Sequence, residues 1–237
     1  MRIRLPIGRT LFLAAAVLFA MAALLPLRLA LDWLGFAEQG LAARAASGSV
    51  WRGALQEAQI GPVSLGDVHA RLNVLPLFLG RARLTVAAAE AGGLEGAVSV
   101  SRHSFGFEDV SGRIRAGTLF APLPLASLEF DDLTAGFSSG RCIRAAGGVR
   151  AIVSGQVGGI GLAPELVGRA RCAGDSLLLP LAGRSGMERL DIRLFSDGRY
   201  RLDLLVREAD PSVAAGLVAA GFRPAAQGHA LRIDGSF

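Results

Sequence analysis

The chain has 237 residues, 51% of them hydrophobic, and a net charge of +5. Its basic residues are all arginine, scattered at strand-like spacing with few aromatics between them, which argues against a nucleic-acid-binding patch. Two cysteines and three isolated histidines, without CxxC or HxxxH spacing, do not supply a metal centre, and nothing calls for a cofactor.

In chain order, Arg2, Arg4 and Arg9 precede an uncharged apolar run from Thr10 to Leu27. As a helix that run measures about 27 Å, close to the ~30 Å core of a bilayer. Apolar character resumes at Leu29 and Leu31, so residues 10–31 are expected to form a transmembrane anchor. The charge imbalance leaves residues 1–9 in the cytoplasm and the bulk of the chain outside it. Ala20-Met21-Ala22 also has the form of a signal-processing site, although the run is longer than a usual signal core. Both readings export the rest. Leu34, Ala37, Leu41 and Ala45 then recur at helical spacing and predict a juxtamembrane helix over residues 32–47.

From Gly48 to Phe237 the dominant period is two. Val68, Ala70, Leu72 and Val74 alternate with polar residues, as do Leu84, Val86 and Ala88, then Leu94, Val98 and Val100. Gly93, Gly106, Gly112 and Gly117 punctuate these runs. The pattern predicts a mainly β domain, an antiparallel curved sheet or sandwich. Near the C-terminus, Ser196-Asp197-Gly198 separates two alternating runs. A three-residue loop with a left-handed Gly198 would pair Leu194 with Tyr200, Ile192 with Leu202 and Leu190 with Leu204. The other face then sets Arg193 opposite Arg201 and Asp191 opposite Asp203, relieved only by diagonal contacts. One short helix is expected where Asp210 caps, Pro211 opens and Gly221 closes an apolar stretch. Asp131-Asp132 reads as a turn between strands, and Gly147-Gly148 and Gly158-Gly159-Ile160-Gly161 as turns or bulges.

An exported chain with one cysteine pair uses it most simply as a disulfide between Cys142 and Cys172; two buried free thiols are the alternative. Motifs for catalysis are missing: no GxSxG elbow, no GxxxxGK[ST] loop, no HExxH helix. The chain therefore reads as a non-enzyme.

The segment Gly48-Ser49-Val50-Trp51-Arg52-Gly53, following a basic tail, a single span and a juxtamembrane segment, resembles protein N of the type II (general) secretion pathway, in which G-x-V-W-x-G opens the exported β region. Asn73-Val74-Leu75-Pro76-Leu77-Phe78-Leu79-Gly80-Arg81 resembles that family's apolar, proline-containing turn, without the tryptophan often found before it. The stretches around Cys142, Cys172 and Leu178-Leu179-Pro180 are similar to its C-terminal half. The resemblance implies an accessory inner-membrane component with a periplasmic β domain, partnered by other inner-membrane or periplasmic secretion components and by the membrane itself. It carries over no catalytic residues. Gly48, Val50, Trp51 and Gly53 form its structural motif, with Trp51 as a bulky packing anchor where the chain enters the sheet. Glycine-punctuated strands behind one membrane helix also resemble AsmA-like envelope proteins, in which an apolar β groove takes lipid acyl chains.

Overall fold

The structure is a computed structural model that describes residues 7–29, 41–61, 63–116, 120–121, 123–157, 160–207 and 211–236. Helix α1 spans Ile7–Ala23. It is shorter than the helix expected over residues 10–31, and among the described residues no helix is long and apolar enough to cross a membrane. Pro26 is the reason. It lacks an N–H and disfavours helical geometry at Leu25, so the last helical bond runs from the Leu24 N–H to the Ala20 carbonyl. The freed Leu25 carbonyl instead accepts from the Val50 N–H, and Pro26 bridges Ser49.

The juxtamembrane helix expected over residues 32–47 lies outside the described residues up to residue 40. Beyond that point the chain is extended, as β1 (Leu41–Ala42) and β2 (Ala45–Ser49), because both strands pair with β3 (Arg52–Ile60). The sheet continues through β4 (Val63–Asn73), β5 (Arg81–Ala88), β6 (Glu95–Ser101), β7 (Ser104–Arg115), β8 (Leu125–Ser138) and β9 (Arg141–Val153). After a separate small hairpin, β10 (Gln156–Val157) with β11 (Ile160–Gly161), it resumes in β12 (Glu165–Arg169), β13 (Arg171–Ala173), β14 (Ser176–Ala182), β15 (Glu188–Phe195), β16 (Arg199–Val206), β17 (Arg223–Ala225) and β18 (Gly228–Ser236). All described pairings are antiparallel within one 16-stranded sheet, ordered β1-β3-β4-β5-β6-β7-β8-β9-β12-β14-β15-β16-β18-β17 with β2 and β13 alongside. The expected mainly β fold is thus a single continuous sheet.

One face of that sheet carries the apolar residues and folds onto itself. A single cluster joins Leu133, Ala135 and Phe137 of β8, Val149 and Ala151 of β9, Leu177, Leu179 and Leu181 of β14, Leu190 and Ile192 of β15, and Leu202 and Leu204 of β16. Phe120, in the β7–β8 connection, meets Tyr200 edge to face at 5.5 Å and plugs the space enclosed. The first strands are less covered. Their small cluster holds Leu55, Ala58 and Val68, while Leu84, Val86 and Val98 remain half-buried.

Bulges supply the bend. Glu57, Asp109 and Asp132 each sit within a strand at positive φ, 49°, 53° and 50°. At each the displaced N–H finds a side-chain acceptor: Glu57 donates to Asp67 Oδ1 at 2.9 Å, Asp109 to Thr134 Oγ1 at 3.1 Å, and Asp132 to Ser111 Oγ at 3.0 Å. Asp131-Asp132 is therefore not a turn but the bulge of β8, opposite Gly147 and Gly148 of β9. Gly106 and Gly112 likewise lie inside β7 rather than between strands. Gly117, Gly158 and Gly159 fall outside the described residues.

The β15–β16 hairpin adopts the expected register, with Leu194, Ile192 and Leu190 opposite Tyr200, Leu202 and Leu204, and Gly198 at φ 83°. On its outer face Asp203 accepts from Arg193 at 2.7 Å diagonally and from Arg232 of β18 at 2.6 Å, which offsets the like-charge pairs. In the loop, the hydrogen bond from the Arg199 side chain holds the Asp197 carboxyl below its ordinary range. A second ladder, Arg113–Glu129–Arg150–Glu165, crosses from β7 to β12.

A short helix, α2 (Val74–Phe78), joins β4 to β5. Helix α3 spans Pro211–Ala219 and drives Leu217 fully into the core. Its end is a Schellman motif, in which Gly221 at φ 92° lets the Phe222 N–H reach the Leu217 carbonyl and the Gly221 N–H the Val218 carbonyl, both at 3.0 Å. Its expected cap, Asp210, lies outside the described residues.

Two left-handed glycines separate space from torsion. At Gly147, φ 112°, an added Cβ would lie 2.6 Å from both the Leu133 Cα and the Asp132 oxygen; at Gly174, φ 66°, it would meet nothing within 4 Å. Gly147→Ala should cost upwards of about 3 kcal/mol and Gly174→Ala only the torsional ~1–2 kcal/mol, measured by urea unfolding.

Candidate functional site

The two motifs singled out in the sequence meet at one end of the strands. The β2–β3 turn carries Val50 and half-buried Trp51, between Gly48 in β2 and Gly53 in β3, which pair with each other. Gly48 has φ 85°, and a side chain there would run into the Arg52 carbonyl at 2.5 Å. Gly53 is buried, and a Cβ on it would collide with the Leu27 side chain. Gly53 therefore lets the segment after α1 lie directly against the hairpin, and Gly48 lets the hairpin close on itself. Leu27 completes the small cluster of Leu55, Ala58 and Val68.

Beside this junction is an open cleft of about 1110 Å³ lined by Ser49, Trp51, Arg52, Arg71, Asn73 and Arg83, with Leu75 and Pro76 of α2 on its far side. The first half of the second motif, Asn73 to Pro76, thus lines the cleft that Trp51 also lines. Sequence spacing places Val74 in the alternation of β4. The structure starts α2 there, because Pro76 cannot donate to a ladder and fits the first turn of a helix. After one turn the Leu79 and Gly80 N–H groups return to the Pro76 and Leu77 carbonyls at 3.0 Å, and Gly80 at φ 70° re-enters the sheet.

On the other side of α2 lies a second hollow of about 850 Å³, which shares Leu75, Pro76 and Arg83 with the first. Phe105 and Phe137 stack in its wall at 5.8 Å. Its acidic residue, Glu108, is neutralised by Arg83 at 2.7 Å and Arg144 at 3.5 Å. Arg52, Arg71 and Arg81 are exposed and have no carboxylate partner among the described residues. The arginines come from different strands, which is why spacing along the chain did not reveal them as a group. The apolar run around Pro76, with no alternation, was the available sign of α2.

Cys142 and Cys172 form the disulfide, with Cα atoms 5.4 Å apart, and tie β9 to β13 across a separation of 30 residues. Among the described residues no group of three His, Cys, Asp or Glu is placed to hold a metal ion.

The described residues form a continuous antiparallel sheet with an arginine-lined cleft at one end of its strands, the architecture of an all-β domain. The sequence matches the family described as type II secretion system (T2SS), protein N, over residues 39–232, and the chain belongs to that family. It is accordingly a component of the type II secretion system. The matched segment holds both walls of the cleft and both cysteines, and leaves α1 outside. No curated protein and no solved structure matches the chain.

Two outcomes test these contacts. Alkylation without reductant should find both cysteines blocked, and replacing both with alanine should lower unfolding stability by about 3–4 kcal/mol, the entropy of a loop of this size. Gly53→Val should push Leu27 off the hairpin and open the chain between α1 and β1 to limited proteolysis, with the disulfide still formed. A cleavage pattern matching the parent chain would mean that Leu27 does not depend on Gly53.

Proposed function

We propose that the chain is a non-catalytic accessory component held at the bacterial inner membrane by α1, with its β domain in the periplasm beside other parts of the secretion machine. The observation that carries this reading is an apolar helix whose described side chains lie exposed. Leu11, Phe12, Leu13, Val17 and Met21 of α1 are all exposed, although the run from Thr10 carries no charge. Water penalises such a surface, and lipid does not. At 17 residues α1 measures about 25 Å, short of the ~30 Å hydrocarbon core, a mismatch that local thinning and snorkelling of flanking arginines accommodate. The hydrogen-bonded junction of Leu25–Pro26 with Ser49–Val50 then holds the sheet close to the end of the helix. The disulfide suits an oxidising compartment.

Lipid handling of the AsmA type is the second reading. It is favoured by the half-buried Leu84, Val86 and Val98, which leave the first strands with an incompletely covered apolar face. Co-purified phospholipid detected by mass spectrometry would support it.

The deciding experiment is secretion in a strain lacking the chain. Release of a folded type II substrate into the medium should fall and return with the full chain, but not with the β domain exported behind a cleavable signal. Unchanged secretion with altered envelope permeability would reject the secretion role in favour of lipid handling.

A further inference from the structure

Helix α2 presents an unusual surface for an exported domain. Leu75, Phe78 and Leu79 are 81%, 83% and 82% exposed, more than any described apolar residue of α1, where Phe12 reaches 72%. Three large side chains at the tip of a single helical turn have no packing role in the sheet. Around them Arg52, Arg71 and Arg81 stand without carboxylate partners among the described residues, and Glu108 is already neutralised. Apolar groups at a tip with cations behind them are complementary to one surface in particular, an acidic phospholipid leaflet, which offers acyl chains below a plane of phosphates.

Topology places this tip at the end of the sheet where α1 joins. The β2–β3 turn, α2, the β6–β7 turn and the β8–β9 turn all lie at the same end of successive antiparallel strands, and α1 joins the sheet at that end through Pro26 and Ser49. Ser49 and α2 line one cleft. Arg102 of the β6–β7 turn and Arg141 at the start of β9 add exposed cations to this end.

We infer that α2 is a membrane-docking finger: Leu75, Phe78 and Leu79 enter the interface of the leaflet from which α1 emerges, and Arg52, Arg71 and Arg81 bind the phosphates of acidic lipids. The inference rests on the proposed tether, which brings the strand ends within reach of the bilayer. Docking gives the sheet a second attachment and so one fixed orientation, where α1 alone would leave it free to swivel. The cleft between Trp51 and α2 then opens at the lipid surface.

The test uses the full chain in vesicles of phosphatidylethanolamine with phosphatidylglycerol. Both native cysteines are held in the disulfide, so Phe78→Cys, or Leu79→Cys as a second position, supplies one thiol for a nitroxide. Collisions with oxygen and with a water-soluble nickel chelate then report depth. Labels at Phe78 and Leu79 should favour oxygen, about 5–10 Å below the phosphates, while a label at Ala91 in the β5–β6 loop at the opposite strand ends stays open to the chelate. Combining Arg52→Gln with Arg81→Gln, or using phosphatidylcholine alone, should reduce the docked fraction, by about fivefold for each arginine that no longer meets a phosphate. Chelate-accessible Phe78 and Leu79 labels in every vesicle would overturn the inference. So would shielding from both reagents, the mark of a second copy or another protein covering the finger. A Leu13→Cys label reports the tether separately: immersed, it leaves the tether standing even where α2 fails, and open to the chelate it marks failure of the tether itself.

Discussion

A sheet with one apolar face and almost no helix to cover it has to bury that face against itself. This requirement governs the rest of the structure. The three described helices are too short to shield sixteen strands; α2 buries no side chain, and among the described side chains of α3 Leu217 alone is fully buried. The strands after β7 therefore curl until β8 and β9 share a core with β14, β15 and β16. Curling needs local breaks in the ladder, and each break strands an N–H. Asp67, Ser111 and Thr134 supply acceptors where Glu57, Asp132 and Asp109 leave the extended conformation. The polar residues inside β4, β7 and β8 are thus part of what makes the hydrophobic core possible.

The curl also divides the molecule. The later strands surround a dense core, fastened by Phe120 against Tyr200 and by the disulfide from β9 to β13. The earlier strands keep a thin cluster and display their features outward: the Trp51 cleft, α2, and the junction with α1. The larger core lies in the later strands, while the Trp51 cleft and α2 sit on the half with the thinner cluster. The Trp51 cleft draws on the earlier strands alone, whereas the second hollow reaches β8, where Phe137 belongs to its wall and to the main core at once.

Alternation carried much of the fold. The β15–β16 register was legible because a three-residue loop, unlike the two-residue Asp-Gly turn, places Leu190, Ile192 and Leu194 on the same face as Leu202, Leu204 and Tyr200. The disulfide and α3 were legible from a lone cysteine pair and from punctuation by Pro211 and Gly221. Asp131-Asp132 misled because a bulge and a turn share the same residue preferences; the neighbouring strand distinguishes them, not the local sequence. The single helix expected over residues 10–31 was too long because hydropathy outweighed Pro26, whose missing N–H and ring interrupt the helix after Ala23. The cleft was legible only as its two walls. Arg52, Arg71 and Arg83 come together through strand pairing, and nothing in their spacing marks them as neighbours.

The order of strands bears on how such a chain reaches its fold. From β3 to β9 every strand pairs with the one just made, and the later pairings skip only short elements. A chain threaded outward from its N-terminus can zip strand onto strand as each emerges, without waiting for a distant partner. The half that arrives first is the one with the thinner core. The main core is complete only when β14 to β16 follow and the cysteines of β9 and β13 come together. The last third of the polypeptide thus acts as the latch on a structure that the first two thirds have already laid out.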